Sequence, residues 1–239
     1  MQSILQSSVF RGILLCLSAS VFVGCASSAP TIDTSPEAEV TFDGLYPVKG
    51  GRMDGAWARP DFSIEQYSKV MLQGVGVEYR PGGSKSRTLS TSRSGEYFDL
   101  TPEQKARFEE EVRKAFTEEL AKGEHFELVT EPGPDVLLIR GGLLDVVSFV
   151  PPEPMTSGNI YLSRVGEATL VLEIRDSMTG AILLRAVDRR AAEDAARMFS
   201  NSNRVTNASE VRRLARIWGQ ILREGLDRFM AEGDEAGES

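Results

Sequence analysis

The chain holds two cysteines and one histidine, so its thiol and imidazole chemistry rests on Cys16, Cys25 and His125. Cys25 closes the run Ile13-Leu14-Leu15-Cys16-Leu17-Ser18-Ala19-Ser20-Val21-Phe22-Val23-Gly24-Cys25, which lies behind the single cation Arg11. A short apolar core followed by small residues and a cysteine is the arrangement in which a thiol is acylated and the chain is cut in front of it, here between Gly24 and Cys25. The twelve residues 13–24 include Ser18, Ser20 and Gly24 and fall short of the roughly 20 apolar residues of a spanning helix. Phe22 stands where such boxes usually carry Leu, and a simply cleaved secretory signal is the competing reading. A thioether-linked diacylglycerol with an N-acyl chain exceeds the two anchoring signals needed for stable attachment, at about 0.8 kcal/mol per buried methylene. The membrane is therefore an expected partner, through lipid on Cys25.

Loss of residues 1–24 removes Cys16, and acylation occupies Cys25, so the mature chain is expected to carry neither a free thiol nor a disulfide. A lone histidine without cysteine leaves a zinc site to carboxylates alone, and no metal or other cofactor is expected. His125, between Glu124 and Phe126 where a helix hands over to a strand, reads as a surface histidine rather than a general base. No G-x-S-x-G elbow occurs. Gly83-Ser84-Lys85-Ser86 resembles the end of a phosphate-binding loop, but Glu78 stands where the first glycine belongs. Asn207-Ala208-Ser209 fits a glycosylation triplet and reads as a helix cap. No residue is expected to be catalytic.

Two charged groups remain as recognition candidates. Arg80, Lys85, Arg87 and Arg93 lie in a glycine- and serine-rich stretch, read as a solvated loop or as a contact for phosphate or acidic glycan. Asp188-Arg189-Arg190 sits at a strand end, where an acid beside paired arginines either anchors a salt-bridge network or binds a partner's carboxylate. The formal charge is −8, and loss of Arg11 with residues 1–24 makes it −9, which argues against a nucleic-acid partner.

The elements that must position these groups follow from spacing. Residues 25–41 carry Pro30, Pro36 and a Ser-Ser pair without an apolar period and read as a flexible tether after the cysteine. Residues 42–61 have aromatic residues at irregular spacing and predict irregular structure packed on the body. Residues 67–79 read as a buried strand. Thr101-Pro102-Glu103-Gln104 supplies a cap, a proline at the first helical position and a capping-box partner, so a helix is predicted to about Lys122, where Gly123 ends it. Residues 126–130 predict a short strand and 136–150 a central one, stopped by Pro151, Pro152 and Pro154. Ala168, Leu170, Leu172 and Ile174 alternate with polar residues, and Asp176-Ser177-Met178-Thr179-Gly180 turns this strand into a hairpin with 181–188. Asn207 and Glu210 form a second predicted capping box, leading a helix whose buried face carries Leu214, Trp218 and Leu222.

The predicted fold class is α+β: a mainly antiparallel sheet with two helices packed on one face, forming a single domain over 42–231. Residues 1–24 precede it as a signal peptide, and 232–239 follow as a disordered acidic tail. The pieces Trp57-Ala58-Arg59-Pro60-Asp61, Tyr67-Ser68-Lys69-Val70-Met71, Asp176-Ser177-Met178-Thr179-Gly180 and Asp188-Arg189-Arg190 resemble, in order and spacing, the bacterial lipoprotein family of domain of unknown function 3313. That resemblance implies an address and a class without a reaction. Resemblance to lipoproteins of Gram-negative cells, where Asp after the cysteine favours the inner membrane, makes Ala26 point to the outer membrane, facing the periplasm. The expected function is non-enzymatic binding or scaffolding of an envelope protein or glycan. An accessory subunit of a transport or secretion complex and a carboxylate-based glycan enzyme are the alternatives.

Overall fold

The computed structural model describes residues 30–81, 97–150, 161–162, 164–193, 200–201 and 204–237. The predicted signal peptide, Cys25, most of the basic stretch and the three prolines after residue 150 lie outside the described residues. In chain order the elements are β1 (Thr31–Ile32), β2 (Tyr46–Lys49), β3 (Gly55–Ala58), β4 (Lys69–Tyr79), α1 (Pro102–Leu120), β5 (Glu127–Val129) and β6 (Val136–Ser148). They continue with β7 (Tyr161–Leu162), β8 (Arg164–Asp176), β9 (Ile182–Glu193), β10 (Ser200–Asn201) and α2 (Arg204–Gly237).

Eight strands make one sheet in the order β1-β2-β3-β9-β8-β6-β4-β5, and β7 pairs with β10 separately. The fold is α+β as predicted. Neighbours in the large sheet are antiparallel except that β4 pairs parallel with both β5 and β6. A parallel pair needs a crossover, and α1 lies within the connection from β4 to β6. α1 starts as the sequence predicts: Thr101 accepts from the Gln104 amide, the Gln104 side chain accepts from the Thr101 amide, and Pro102 follows the cap. The predicted alternation also holds, with Ala168, Leu170, Leu172 and Ile174 all buried.

Four expectations differ from the structure. Thr31–Ile32, inside the expected tether, is strand β1 and pairs with Val48 and Lys49 of β2. Residues 42–61, expected to be irregular, contribute β2 and β3, and β3 joins the main sheet along Gly55↔Val187 to Ala58↔Leu184. These strands have four residues each, too few for a period to show. α2 begins at Arg204, so Asn207 lies in its first turn and is not its cap. The helical backbone also continues to Gly237, through most of the segment expected to form a disordered tail.

Both helices cover one face of the sheet. Phe116 and Leu120 of α1, and Leu214, Trp218 and Leu222 of α2, join one cluster with Val70, Leu137, Ile139, Leu170 and Leu172. The helices meet at Gly219, where an added Cβ would stand 2.9 Å from the Glu119 Cβ and 3.6 Å from the Phe116 Cα. A side chain there would force α1 away, so the close approach requires glycine.

Candidate functional site

Strand register decides what Asp188, Arg189 and Arg190 do. In the β8–β9 ladder Asp188 opposes Leu170 and Arg190 opposes Ala168, so both stand on the helix-covered face, whereas Arg189 opposes Thr169 on the open face. The three residues predicted as one site therefore belong to two sites on opposite sides of the sheet.

On the covered face Asp188 is 2% exposed. Its Oδ2 accepts from the indole N–H of Trp218 at 2.7 Å and from Nε of Arg190, and its Oδ1 accepts from the Asp54 amide at 3.1 Å. Asp54 in turn accepts from the Arg189 amide at 2.8 Å, and Arg190 also donates to the Arg52 carbonyl at 3.3 Å. A buried carboxylate persists only with such donors, and here they bind β9 to α2 and to the chain entering β3. Trp218 and Asp54 were not legible as partners from the sequence. The signal that was available is phase: Asp188 lies two residues from Ala186 and four from Leu184, on the inward side of the alternation.

On the open face Arg189 donates to Glu167 and, at 2.9 Å, to Asp145. Asp145 also receives a two-pronged contact from Arg80. It has φ +56 beside a register shift between Leu144 and Val147, the backbone irregularity that aims its carboxylate at both cations. Hydrogen bonding from Arg80, aided by Arg189, holds Asp145 below the usual carboxylate range, and bonding to Glu167 raises Arg189 above its ordinary value.

A second cluster lies nearer the hairpin turn, where Arg185 bonds Asp43 at 2.7 Å and Glu173 at 3.2 Å, and Arg175 bonds Glu173 at 2.6 Å. Partial burial works against ionisation of Glu173, the largest single influence, but the guanidiniums of Arg175 and Arg185 outweigh it and lower its pKa. Nε of Arg140, which opposes Glu173 from β6, is buried without a hydrogen-bond partner.

Of the predicted basic stretch, Arg80 is described; besides its bond to Asp145 it stands over the Tyr97 ring at 5.5 Å. Arg80 also lines, with Tyr79, Phe98, Lys105 and Val146, a cleft of about 200 Å³. The His125 amide donates to Asp227 at 3.1 Å. Among the described residues no group of three or more His, Cys, Asp or Glu is placed to hold a metal, and no helix is long and apolar enough to cross a membrane.

A sheet covered by helices on one face, with paired charges on the other, defines a two-layer α+β domain. The chain belongs to the family described as protein of unknown function (DUF3313), which matches it over residues 37–222. Among curated proteins no significant sequence match is found. Several solved structures are similar in outline. A PelC dodecamer from Paraburkholderia phytofirmans is 12% identical, with 70% of this chain and 94% of that chain covered and a TM-score of 0.33. A putative neuraminyllactose-binding hemagglutinin homolog from Helicobacter pylori is 9% identical, with 73% and 92% covered and a TM-score of 0.37. Protein XCC0632 from Xanthomonas campestris is 13% identical, with 76% and 94% covered and a TM-score of 0.35. Scores at this level carry no inference of shared function.

Proposed function

We propose that this chain is a bacterial envelope lipoprotein, anchored through lipid on Cys25, most simply in the outer membrane facing the periplasm. Its α+β domain binds or scaffolds another envelope component, a protein or glycan, without catalysing a reaction. The observation that carries this reading is the run of residues 13–25: an apolar core too short to span, small residues, and a cysteine where acylation and cleavage take place. The geometry of the domain supports the non-enzymatic part. Asp145, Glu167 and Glu173 are each bonded to arginine on the open face, which suits them to rigid display of a surface more than to proton transfer, and Asp188 is buried as a structural anchor.

An alkyne fatty acid fed to cells should label the wild-type chain and leave Cys25→Ala unlabelled. Crosslinkers placed on the open sheet face should then capture one discrete envelope component. Equal labelling of both chains, or retention of the wild type in the cytoplasm, would contradict the proposal.

A further inference from the structure

Four large apolar side chains are prominently exposed among the described residues, and three of them lie at one end of the sheet. Phe42 is 98% exposed, Met178 63% and Val40 45%. Met178 belongs to the turn between β8 and β9, just before Ile182. Register carries the same level across the sheet, from Leu184 to Ala58 and from Ala58 to Tyr46. Residues 40–45 precede Tyr46 there, and the Asp43–Arg185 ion pair ties them to β9. Single exposed apolar residues are ordinary, but three on turns at one end of a domain form a surface.

The turn that holds Phe42 is firmly built. The Leu45 amide donates to the Thr41 hydroxyl oxygen at 2.9 Å, the Thr41 hydroxyl donates to Asp43 at 2.6 Å, and the Gly44 amide donates to the Thr41 carbonyl at 3.0 Å. Gly44 takes φ +80 and Leu45 is fully buried. The aromatic ring is thus presented outward by a fixed backbone.

We infer that this end of the domain, with Phe42 at its tip, is a second and non-covalent contact with the bilayer that carries the lipid on Cys25. The inference rests on the lipid anchor proposed above. Five residues lie between Cys25 and Thr31, and the six steps from one to the other reach at most about 20 Å. Thr31 pairs with Lys49, and β2 separates that level from the Phe42 turn by only about 13 Å. The acyl chains can therefore enter the membrane at the level of Phe42, and β1 keeps the domain close to it. The exposed acids Glu37 and Glu39 flank the turn, so the contact is apolar: anionic lipid weakens it, and added salt does not release it.

The test uses the full chain, processed in a lipoprotein-maturing bacterium, extracted and reconstituted into vesicles of phosphatidylethanolamine with a minor share of phosphatidylglycerol. Acylation of Cys25 leaves Phe42→Cys and Leu144→Cys one free thiol each for an NBD label, and the parent chain, treated alike, should take up none. Leu144, on the open face, is well along β6 from this end. Because the domain is already tethered, burial of one aromatic-sized group should favour the inserted state by roughly tenfold or more. Dithionite should therefore bleach the label at position 42 about tenfold more slowly than the label at 144. Equal, fast bleaching on vesicle-bound protein would overturn this contact and leave the anchor standing, and slow bleaching at both positions would overturn the orientation. Chain that leaves the vesicles with Cys25 unacylated would overturn both the anchor and this inference.

Discussion

Replacing Asp188 with alanine probes the junction between β9 and α2 directly. The carboxylate takes three donors, and Trp218, at 1% exposure, has no route to water for its indole N–H once the acceptor is gone. One stranded buried donor costs about 1–3 kcal/mol, and the Asp54 amide, closer to the surface, adds a smaller share. Arg190 is about a third exposed, so its guanidinium recovers water and contributes little to the loss. The expected total is about 2–4 kcal/mol, a large part of the 5–15 kcal/mol by which domains of this kind are stable. Urea unfolding followed by tryptophan fluorescence measures it as a lower midpoint at unchanged slope. Trp218→Phe should lose about 1–3 kcal/mol, and the double variant should lose less than the sum because the two residues share one bond. Arg190→Ala strips the buried carboxylate of its guanidinium donor and should cost about 1–3 kcal/mol. A loss below about 1 kcal/mol for Asp188→Ala, or full additivity with Trp218→Phe, would refute the claim that this carboxylate is a structural anchor.

Acid should destabilise the domain in a definite window. Hydrogen bonds and nearby cations hold Asp43, Asp135, Asp145 and Asp176 below their ordinary pKa values and bring Asp33 to about 2. Folded values below unfolded ones give stability that is present above about pH 4 and lost as pH falls through the folded values. A urea midpoint unchanged from pH 7 to pH 2.5 would contradict this. Tyr67 behaves oppositely: burial and its bond to Asp176 push it up to about 12, so its contribution is full below about pH 10 and disappears between pH 10 and 12. Burial beside Glu109 raises Tyr79 as well, so absorbance at 295 nm should show late-titrating tyrosines of which Tyr67→Phe removes one, and early titration of every tyrosine would count against the burial. Gly219→Val should cost about 1–3 kcal/mol by forcing α1 from α2, seen as a lower melting temperature; no change would mean that the helices are not in the close contact described.

The elements with strong local signals were readable from the sequence. The capping box at Thr101 and Gln104, the alternation from Ala168 to Ile174 and the turn after Asp176 are decided by neighbours within a few residues, and all three are in the structure. What escaped depends on contacts distant in sequence. Gly55–Ala58 is a strand because Leu184 to Val187 offer it a ladder, and four residues carry no period of their own. Asn207 looked like a cap because its neighbours fit one, yet α2 starts three residues earlier. The parallel pairing of β4 with β6 is a matter of topology that apolar content does not encode. For Asp188-Arg189-Arg190 the chemistry was legible and the geometry was not. Alternation sends Arg189 to one face and its neighbours to the other, and the partners Trp218, Asp145 and Glu167 lie 22 to 44 residues away.

The lipid anchor is the claim on which the proposed function and the bilayer contact both depend. Intact-mass measurement of the full chain, expressed in a lipoprotein-processing bacterium and extracted from its membranes, tests it most directly. The account predicts a mature chain that begins at Cys25, lacks residues 1–24 and carries the added mass of diacylglycerol and an N-linked acyl chain on that residue. A chain that still begins at Met1, or one cut elsewhere with an unmodified Cys25 thiol, would contradict it.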